Sequence, residues 1–230
     1  MTTEEQKPNL GHYLVDKIEM SKEELDAHYK FIKRELVNFE KEFWHKNDKL
    51  PKRETVIGVV FSPVPIPRHR IVEEADKKTV LDYKTEYTLA DDKKDFPSIF
   101  DNEFAFGIKT TKRELYGTIY KRYKWNNADI IGVIQLIALC SKDDRRIILP
   151  SGLHDFLLEY KYELFNIWHK SDETLTIEEF RWITSDTFRW LCHQQGFPAW
   201  KAKSMANILD CFQKHLQKKK WQIEIEEDFE

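Results

Sequence analysis

The chain has 230 residues, of which 41% are hydrophobic and 33% are charged, and its formal net charge is −3 at pH 7. This length and apolar content predict a folded protein of one large or two small domains with a substantial core. The slightly acidic balance excludes a general attraction to nucleic acids or membrane surfaces, so a partner of either kind requires a local patch.

The first stretch of the chain predicts a long helix. Ser21 and Glu24 have the spacing of an S-x-x-E capping box, and apolar residues then recur at helical spacing to about Trp44. Polar Lys and Glu residues occupy the other side. The pattern predicts an amphipathic helix with one face in the core and one in water.

A small antiparallel sheet is predicted next. The β-branched run of residues 55–61 indicates a strand that ends at Pro63, because proline lacks the N–H that a strand ladder needs. Strict alternation over residues 79–89 indicates a strand of a hairpin with one wet face. The charged loop of residues 90–98 is the predicted boundary between two sub-domains.

The rest of the chain predicts a helical bundle. Thr111 and Glu114 resemble a second capping box and predict a helix to about Lys124. Further helices are predicted over residues 128–140, from a cap at Ser151, from the capping box of Thr176 and Glu179 to Gly196, and from Pro198 onward, with a short strand at residues 145–150.

The predicted fold is therefore α+β and predominantly helical, with a long N-terminal helix and a small antiparallel sheet followed by a helical bundle. The predicted parts are a flexible tail at residues 1–20, a helix-plus-hairpin sub-domain at 21–95, a helical sub-domain at 96–221 and an acidic end at 222–230.

Cysteine usage and hydropathy indicate the compartment. Cys140, Cys192 and Cys211 are few and odd in number, which predicts reduced, buried thiols in an intracellular protein, cytoplasmic or nuclear. The acidic, polar start is not typical of a secretory signal. The longest uncharged run, Ile130–Cys140, is shorter than the ~20 residues that span a bilayer, so no membrane partner is expected.

No motif for catalysis, a cofactor or a metal is evident, so none of the three is expected. Glycine-rich phosphate loops are absent, and the spacing of Cys192 and His193 with Cys211 and His215 lacks any reinforcing metal motif. Asp82 and Lys84 have the D-x-K spacing of metal-dependent nucleases, but a cross-strand charge pair explains them equally well. The nuclease is therefore a lesser alternative.

The triplet Phe-Arg-Trp occurs twice, eight residues apart, on the predicted helix after Thr176. Helical geometry places Trp182 opposite the core face, beside Asp186 and Arg189. This indole is either covered by another part of the chain or exposed as an anchor for a partner. We take Trp182, Arg189 and Trp200 as the candidate partner-binding residues, since Trp and Arg are enriched at interface hot spots.

Residues 109–125 interleave cations with aromatic rings, a composition typical of nucleic-acid-binding surfaces. The candidate contacts are Lys112, Arg113, Tyr120, Arg122 and Lys124. A solvated basic face with tyrosines reaching out of the core explains the same composition.

These observations favour a non-enzymatic intracellular protein-interaction subunit or adaptor of a larger assembly, whose partner is another protein. The alternative is a nucleic-acid-binding regulator that uses the segment 109–125. The pattern identifies neither the partner nor the oligomeric state.

Overall fold

The computed structural model describes residues 17–72, 79–81, 98–125, 144–215 and 221. Within these residues the elements, in chain order, are α1 (Lys22–Lys46), β1 (Val56–Ser62), β2 (Pro67–Val72), β3 (Thr79–Leu81), β4 (Ser98–Phe100), β5 (Phe104–Thr110), β6 (Glu114–Ile119), β7 (Lys124–Trp125), α2 (Arg145–Glu159), α3 (Lys161–Ser171), α4 (Ile177–Gln194) and α5 (Ala199–His215). The fold is α+β and predominantly helical, which confirms the predicted class.

The first helix packs on a three-stranded antiparallel sheet of order β1-β5-β6. Its predicted capping box is confirmed, because the Ser21 hydroxyl accepts the Glu24 amide and the Glu24 carboxylate accepts the Ser21 amide. Ile32 and Leu36 on the apolar face are completely buried against the sheet. The three-stranded sheet therefore contacts α1 and also contacts α4.

The second sheet is antiparallel and has the order β3-β2-β4-β7. Phe100 of β4 and Trp125 of β7 belong to the main core cluster, and their ring centroids lie 4.4 Å apart. The predicted hairpin strand at residues 79–89 is described only over β3, which pairs with β2. This sheet packs against α2.

The helix predicted from Thr111 to about Lys124 is wrong, because residues 104–119 form the hairpin β5–β6. The turn is stabilised by Thr110, whose hydroxyl accepts the amides of Lys112 and Arg113 at 3.1 and 2.9 Å. The apparent capping box at Thr111 and Glu114 is therefore a hairpin turn that borders β6.

Residues 145–150 are helical, so the short strand predicted there is wrong. Asp144 caps α2 by accepting the Arg146 amide, and Ser151 lies inside the helix instead of capping it. Ser151 instead donates to the Ile148 carbonyl and accepts the indole N–H of Trp125. The single helix predicted from Ser151 is divided between α2 and α3, which separate at Tyr160.

The capping box of Thr176 and Glu179 is confirmed at the start of α4. Beyond the end of that helix, Gly196 has a φ of +91°, a conformation that favours glycine. The predicted stop of the helix near Gly196 is therefore confirmed.

Strands from both predicted sub-domains pair with each other, because β1 pairs with β5 and β2 pairs with β4. The part of the predicted tail at residues 17–20 is held in place, since the amides of Glu19 and Met20 donate to the Glu103 carboxylate at 2.7 and 2.9 Å. Several predicted features lie outside the described residues: the tail at 1–16, the boundary between 95 and 96, the helix at 128–140 and the acidic end at 222–230. None of the helices in the described part of the chain is long and apolar enough to cross a membrane.

Candidate functional site

One face of α4 binds the chain just before β1. Trp182, Asp186 and Arg189 follow one another at i, i+4 and i+7, so they share a face of the helix, as their spacing predicts. The Trp182 indole N–H donates to the Glu54 carbonyl at 2.6 Å, and Asp186 Oδ2 accepts the Val56 amide at 2.6 Å. We call Trp182, Asp186 and Arg189 the edge clamp.

Arg189 completes the edge clamp. Its Nη2 donates to the Val56 carbonyl at 3.0 Å and to Asp186 Oδ2 at 3.1 Å. Among the described residues β1 is an edge strand, and exposed edges present backbone groups that readily pair with other chains. The edge clamp satisfies the Val56 amide and carbonyl with side chains instead of another strand.

Of the two alternatives for Trp182, the structure shows the covered position and not the exposed anchor, since the residue is only 8% exposed. The segment before β1 covers it, and the Arg53 guanidinium lies 3.7 Å from the ring centroid. Arg53 also pairs with Asp210 of α5 at 3.1 Å, and Arg181 of α4 reaches the same carboxylate at 3.1 Å. Ion pairs thus join the segment before β1, α4 and α5.

Trp200 is the predicted partner-binding residue whose side chain faces solvent. It lies in the first turn of α5 and is 64% exposed, the largest value among the seven tryptophans, all of which are described. Trp182 is buried and Arg189 is engaged in the edge clamp. The three residues therefore do not form one exposed surface.

The basic turn of the β5–β6 hairpin is paired with carboxylates. Lys112 Nζ lies 2.7 Å from Glu179, and the buried Arg113 Nε lies 3.1 Å from Glu54 and 3.4 Å from Asp172. Burial raises the pKa of the Glu54 carboxyl, against the opposing hydrogen bond from Thr110 and the charge of Arg113. Both cations of this turn therefore have carboxylates of the same chain as partners.

The buried polar groups of this cluster are incompletely satisfied. Glu54 Oε2 and Arg113 Nη1 have no hydrogen-bond partner in the part of the chain that the structure describes. Burial also opposes ionisation of Glu179, but hydrogen bonds from Lys112 and from the Thr176 amide outweigh it and lower the pKa of Glu179. Glu54 and Glu179 consequently have pKa values displaced in opposite directions.

Tyr120, Arg122 and Lys124 lie at the other end of β6 from Lys112 and Arg113. The Tyr120 hydroxyl is 3.0 Å from that of Tyr160, and Arg122 adopts a φ of +66° in the turn before β7. The five candidate nucleic-acid contacts therefore do not share one helical face. Because the predicted helix is wrong, these candidate contacts are divided between the two ends of β6.

Two of the three cysteines, and the Cys/His spacing considered for a metal, lie in the described residues. No three His, Cys, Asp or Glu side chains in the described ranges are grouped so that they could hold a metal ion. Cys192 is buried as predicted, but the buried position predicted for Cys211 is wrong because its side chain is exposed on α5. Cys140 and the candidate nuclease residues Asp82 and Lys84 lie outside the described residues.

An exposed stripe on α5 is not among the predicted features. Exposed residues recur there at i, i+3, i+7, i+11 and i+14, namely Trp200, Lys203, Asn207, Cys211 and Lys214. The helical period of the sequence was the signal that could have revealed this stripe. The buried Ala202, Met205 and Ala206 lie on the opposite side of the helix.

No protein-family model matches the chain, no curated protein is similar to it, and no solved structure resembles it. The function is therefore inferred from the geometry of the described residues.

Proposed function

We propose that this chain is a non-enzymatic protein-interaction module, a subunit or adaptor of a larger assembly, with its contact surface centred on Trp200. The observation that carries the proposal is the 64% exposure of the Trp200 indole on a regular helix. Large aromatic side chains are usually mostly buried, and tryptophan is among the residues that dominate binding energy at interfaces. An indole held in water by a helix gains apolar burial when a partner covers it.

The rigid mounting of Trp200 supports the same proposal. The side of α5 opposite Trp200 buries Ala202 and Met205, and Asp210 joins the helix to Arg181 and Arg53. A preorganised anchor loses less conformational freedom on binding than one on a mobile loop. The geometry therefore suits recognition of a partner by a fixed surface.

Site-specific crosslinking tests the proposal. A photoreactive phenylalanine analogue replaces Trp200 in the full chain in its native cell, and the same analogue replaces Tyr162, an exposed aromatic of α3 that is 42% exposed, as the matched control. We expect a discrete protein adduct from position 200 that excess wild-type chain competes away and excess Trp200→Ala chain does not. A matching adduct from position 162, or no competition by the wild type, contradicts the proposal.

The same experiment separates the nucleic-acid alternative. That alternative assigns binding to Lys112, Arg113, Tyr120, Arg122 and Lys124, and it rests on composition alone because Lys112 and Arg113 pair with carboxylates. Nuclease treatment before irradiation removes any adduct that depends on nucleic acid. Adducts at position 200 that survive the treatment support the protein partner, and their loss favours the alternative.

A further inference from the structure

The outward face of α5 is a narrow, continuous stripe. Trp200, Lys203, Asn207, Cys211 and Lys214 are all exposed, and at about 100° per residue they lie within a sector of about 80° on the helix. These five residues are called the α5 stripe below. It runs along about 20 Å of helix, given about 1.5 Å per residue, and begins with the most exposed tryptophan of the chain.

The α5 stripe has positive charge only. The single acidic residue of α5 is Asp210, which borders the stripe, but its carboxylate is only 13% exposed and pairs with Arg181 and Arg53. Neither Lys203 nor Lys214 forms an ion pair with any described residue. Within the described residues, the two lysines of the α5 stripe therefore have no carboxylate partner, and Lys203 lies three residues from the exposed indole.

Resting on the proposed function, we infer that the α5 stripe docks an acidic protein segment that places an apolar side chain against Trp200. Its carboxylates face Lys203 and Lys214 on either side of the neutral Asn207 and Cys211. Complementary charge steers such a segment to the α5 stripe and fixes its register. The Trp200 indole, which the bound partner covers, supplies most of the affinity. The charge of Asp210 is compensated by Arg181 and Arg53, and the five residues of the stripe include no acid that would repel the carboxylates of the partner.

The charge count favours an acidic protein segment over a nucleic acid. Lys203 and Lys214 are separated by eleven residues, about 16 Å along the helix, and the rest of the stripe is neutral. Nucleic-acid affinity at physiological salt depends on many phosphate contacts, and two separated lysines supply few of them. Two separated lysines suit a short acidic peptide with an apolar anchor.

A display selection on the full chain tests this inference. Random 12-residue peptides are selected on the wild-type protein, and peptides that also bind the Trp200→Ala variant are removed. The enriched peptides are synthesised with a fluorophore at one end, and their affinities for the unlabelled full chain are measured from the anisotropy of that fluorophore. Single-stranded DNA and RNA carrying the same fluorophore are titrated in the same way.

The charge requirement is tested with two matched double variants. Lys203→Glu with Lys214→Glu reverses the cations of the α5 stripe, and Lys30→Glu with Lys41→Glu reverses two exposed lysines of α1 at the same eleven-residue spacing. We expect enriched peptides with a net acidic composition and an apolar residue. Charge reversal on α5 is expected to lower the affinity of these peptides about tenfold, and charge reversal on α1 to leave their affinity unchanged.

Each outcome separates the inference from the proposed function. Peptides that depend on Trp200 but show no excess of acids, or that respond equally to both reversals, overturn the acidic partner and retain the interaction surface. Tight binding of DNA or RNA that depends on Lys203 and Lys214 also overturns the acidic protein segment. If no selected peptide distinguishes the wild type from Trp200→Ala, both the inference and the surface at Trp200 are lost.

Discussion

The indole N–H of Trp182 donates a 2.6 Å hydrogen bond to the backbone carbonyl of Glu54, a residue 128 positions earlier in the chain. Trp168 of α3 does the same for the opposite edge of the three-stranded sheet, donating to the Tyr116 carbonyl at 2.9 Å. At each described edge of this sheet, an indole from a helix therefore donates a hydrogen bond to a backbone carbonyl. A buried tryptophan supplies both apolar area and a donor, which suits it to covering a strand edge.

Substitutions at Trp182 separate its hydrogen bond from its packing. Trp182→Phe keeps an aromatic ring but leaves the Glu54 carbonyl without its donor, and we expect the free energy of unfolding to fall by about 1–2 kcal/mol. Trp182→Ala also removes the ring and lowers it by about 3–5 kcal/mol. Urea denaturation measures both values. Trp200→Ala is the control and changes stability by less than about 0.5 kcal/mol; an equal loss from the two alanine variants contradicts the assignment of Trp182 to the core.

Substitutions of the two charged residues of the edge clamp are predicted to have non-additive effects on the free energy of unfolding. Arg189→Ala leaves the almost fully buried Asp186 carboxylate without its cation, and we expect a loss of about 2–4 kcal/mol in the free energy of unfolding. Adding Asp186→Asn removes the unpaired charge and recovers about 1 kcal/mol of that loss. Denaturant unfolding of the four members of the cycle gives the coupling, and simple additivity of the two single changes contradicts it.

Local signals in the sequence predicted local structure well and long-range pairing poorly. The S/T-x-x-E motifs at Ser21 and Thr176 are confirmed as capping boxes, because the bonds that define them join residues three apart. The same spacing at Thr111 fails. There the neighbouring Thr110 hydroxyl accepts the turn amides, and β5 pairs with β1 across some fifty residues of chain, a contact that no local motif encodes.

The candidate site, too, was predictable in its local geometry and not in its long-range contacts. Helical periodicity was sufficient to place Trp182, Asp186 and Arg189 on one face. It did not reveal what covers that face, because Glu54 and Val56 are brought there by the tertiary fold. Exposure of Trp200 follows from the same kind of long-range packing, which leaves the start of α5 uncovered.

Close packing of α1 on the sheet requires a glycine at position 107. A Cβ at Gly107 would overlap Cγ2 of Ile32 and come within 3.0 Å of Cδ1 of Leu36, both of which are completely buried. We expect Gly107→Ala to lower the free energy of unfolding by about 1–3 kcal/mol through overpacking. In an Ile32→Ala background the same change costs less, since the overlapping methyl is gone. Thermal unfolding of the four proteins measures the difference, and an equal cost in both backgrounds contradicts the overlap.

The buried carboxyl of Glu54 predicts a distinctive dependence of stability on pH. Because burial raises its pKa in the folded protein above the ordinary value of 4.5, the fold favours the protonated form. The stabilisation from Glu54 is therefore present below the unfolded pKa and is lost as the pH rises through the folded pKa. Glutamine at this position stays neutral throughout. The difference in free energy of unfolding, Glu54→Gln minus wild type, is expected to increase between pH 4 and pH 7.

Glu179 provides a control for this pH dependence with the opposite sign. Burial opposes its ionisation, but hydrogen bonds from Lys112 and the Thr176 amide lower its folded pKa below 4.5, so its carboxylate stabilises the fold above the unfolded pKa. That stabilisation is lost as the pH falls through the folded pKa. The difference for Glu179→Gln minus wild type is expected to become more negative between pH 4 and pH 7. Urea unfolding at half-unit pH steps measures both curves, and parallel slopes for the two variants contradict the opposite displacements of the two pKa values.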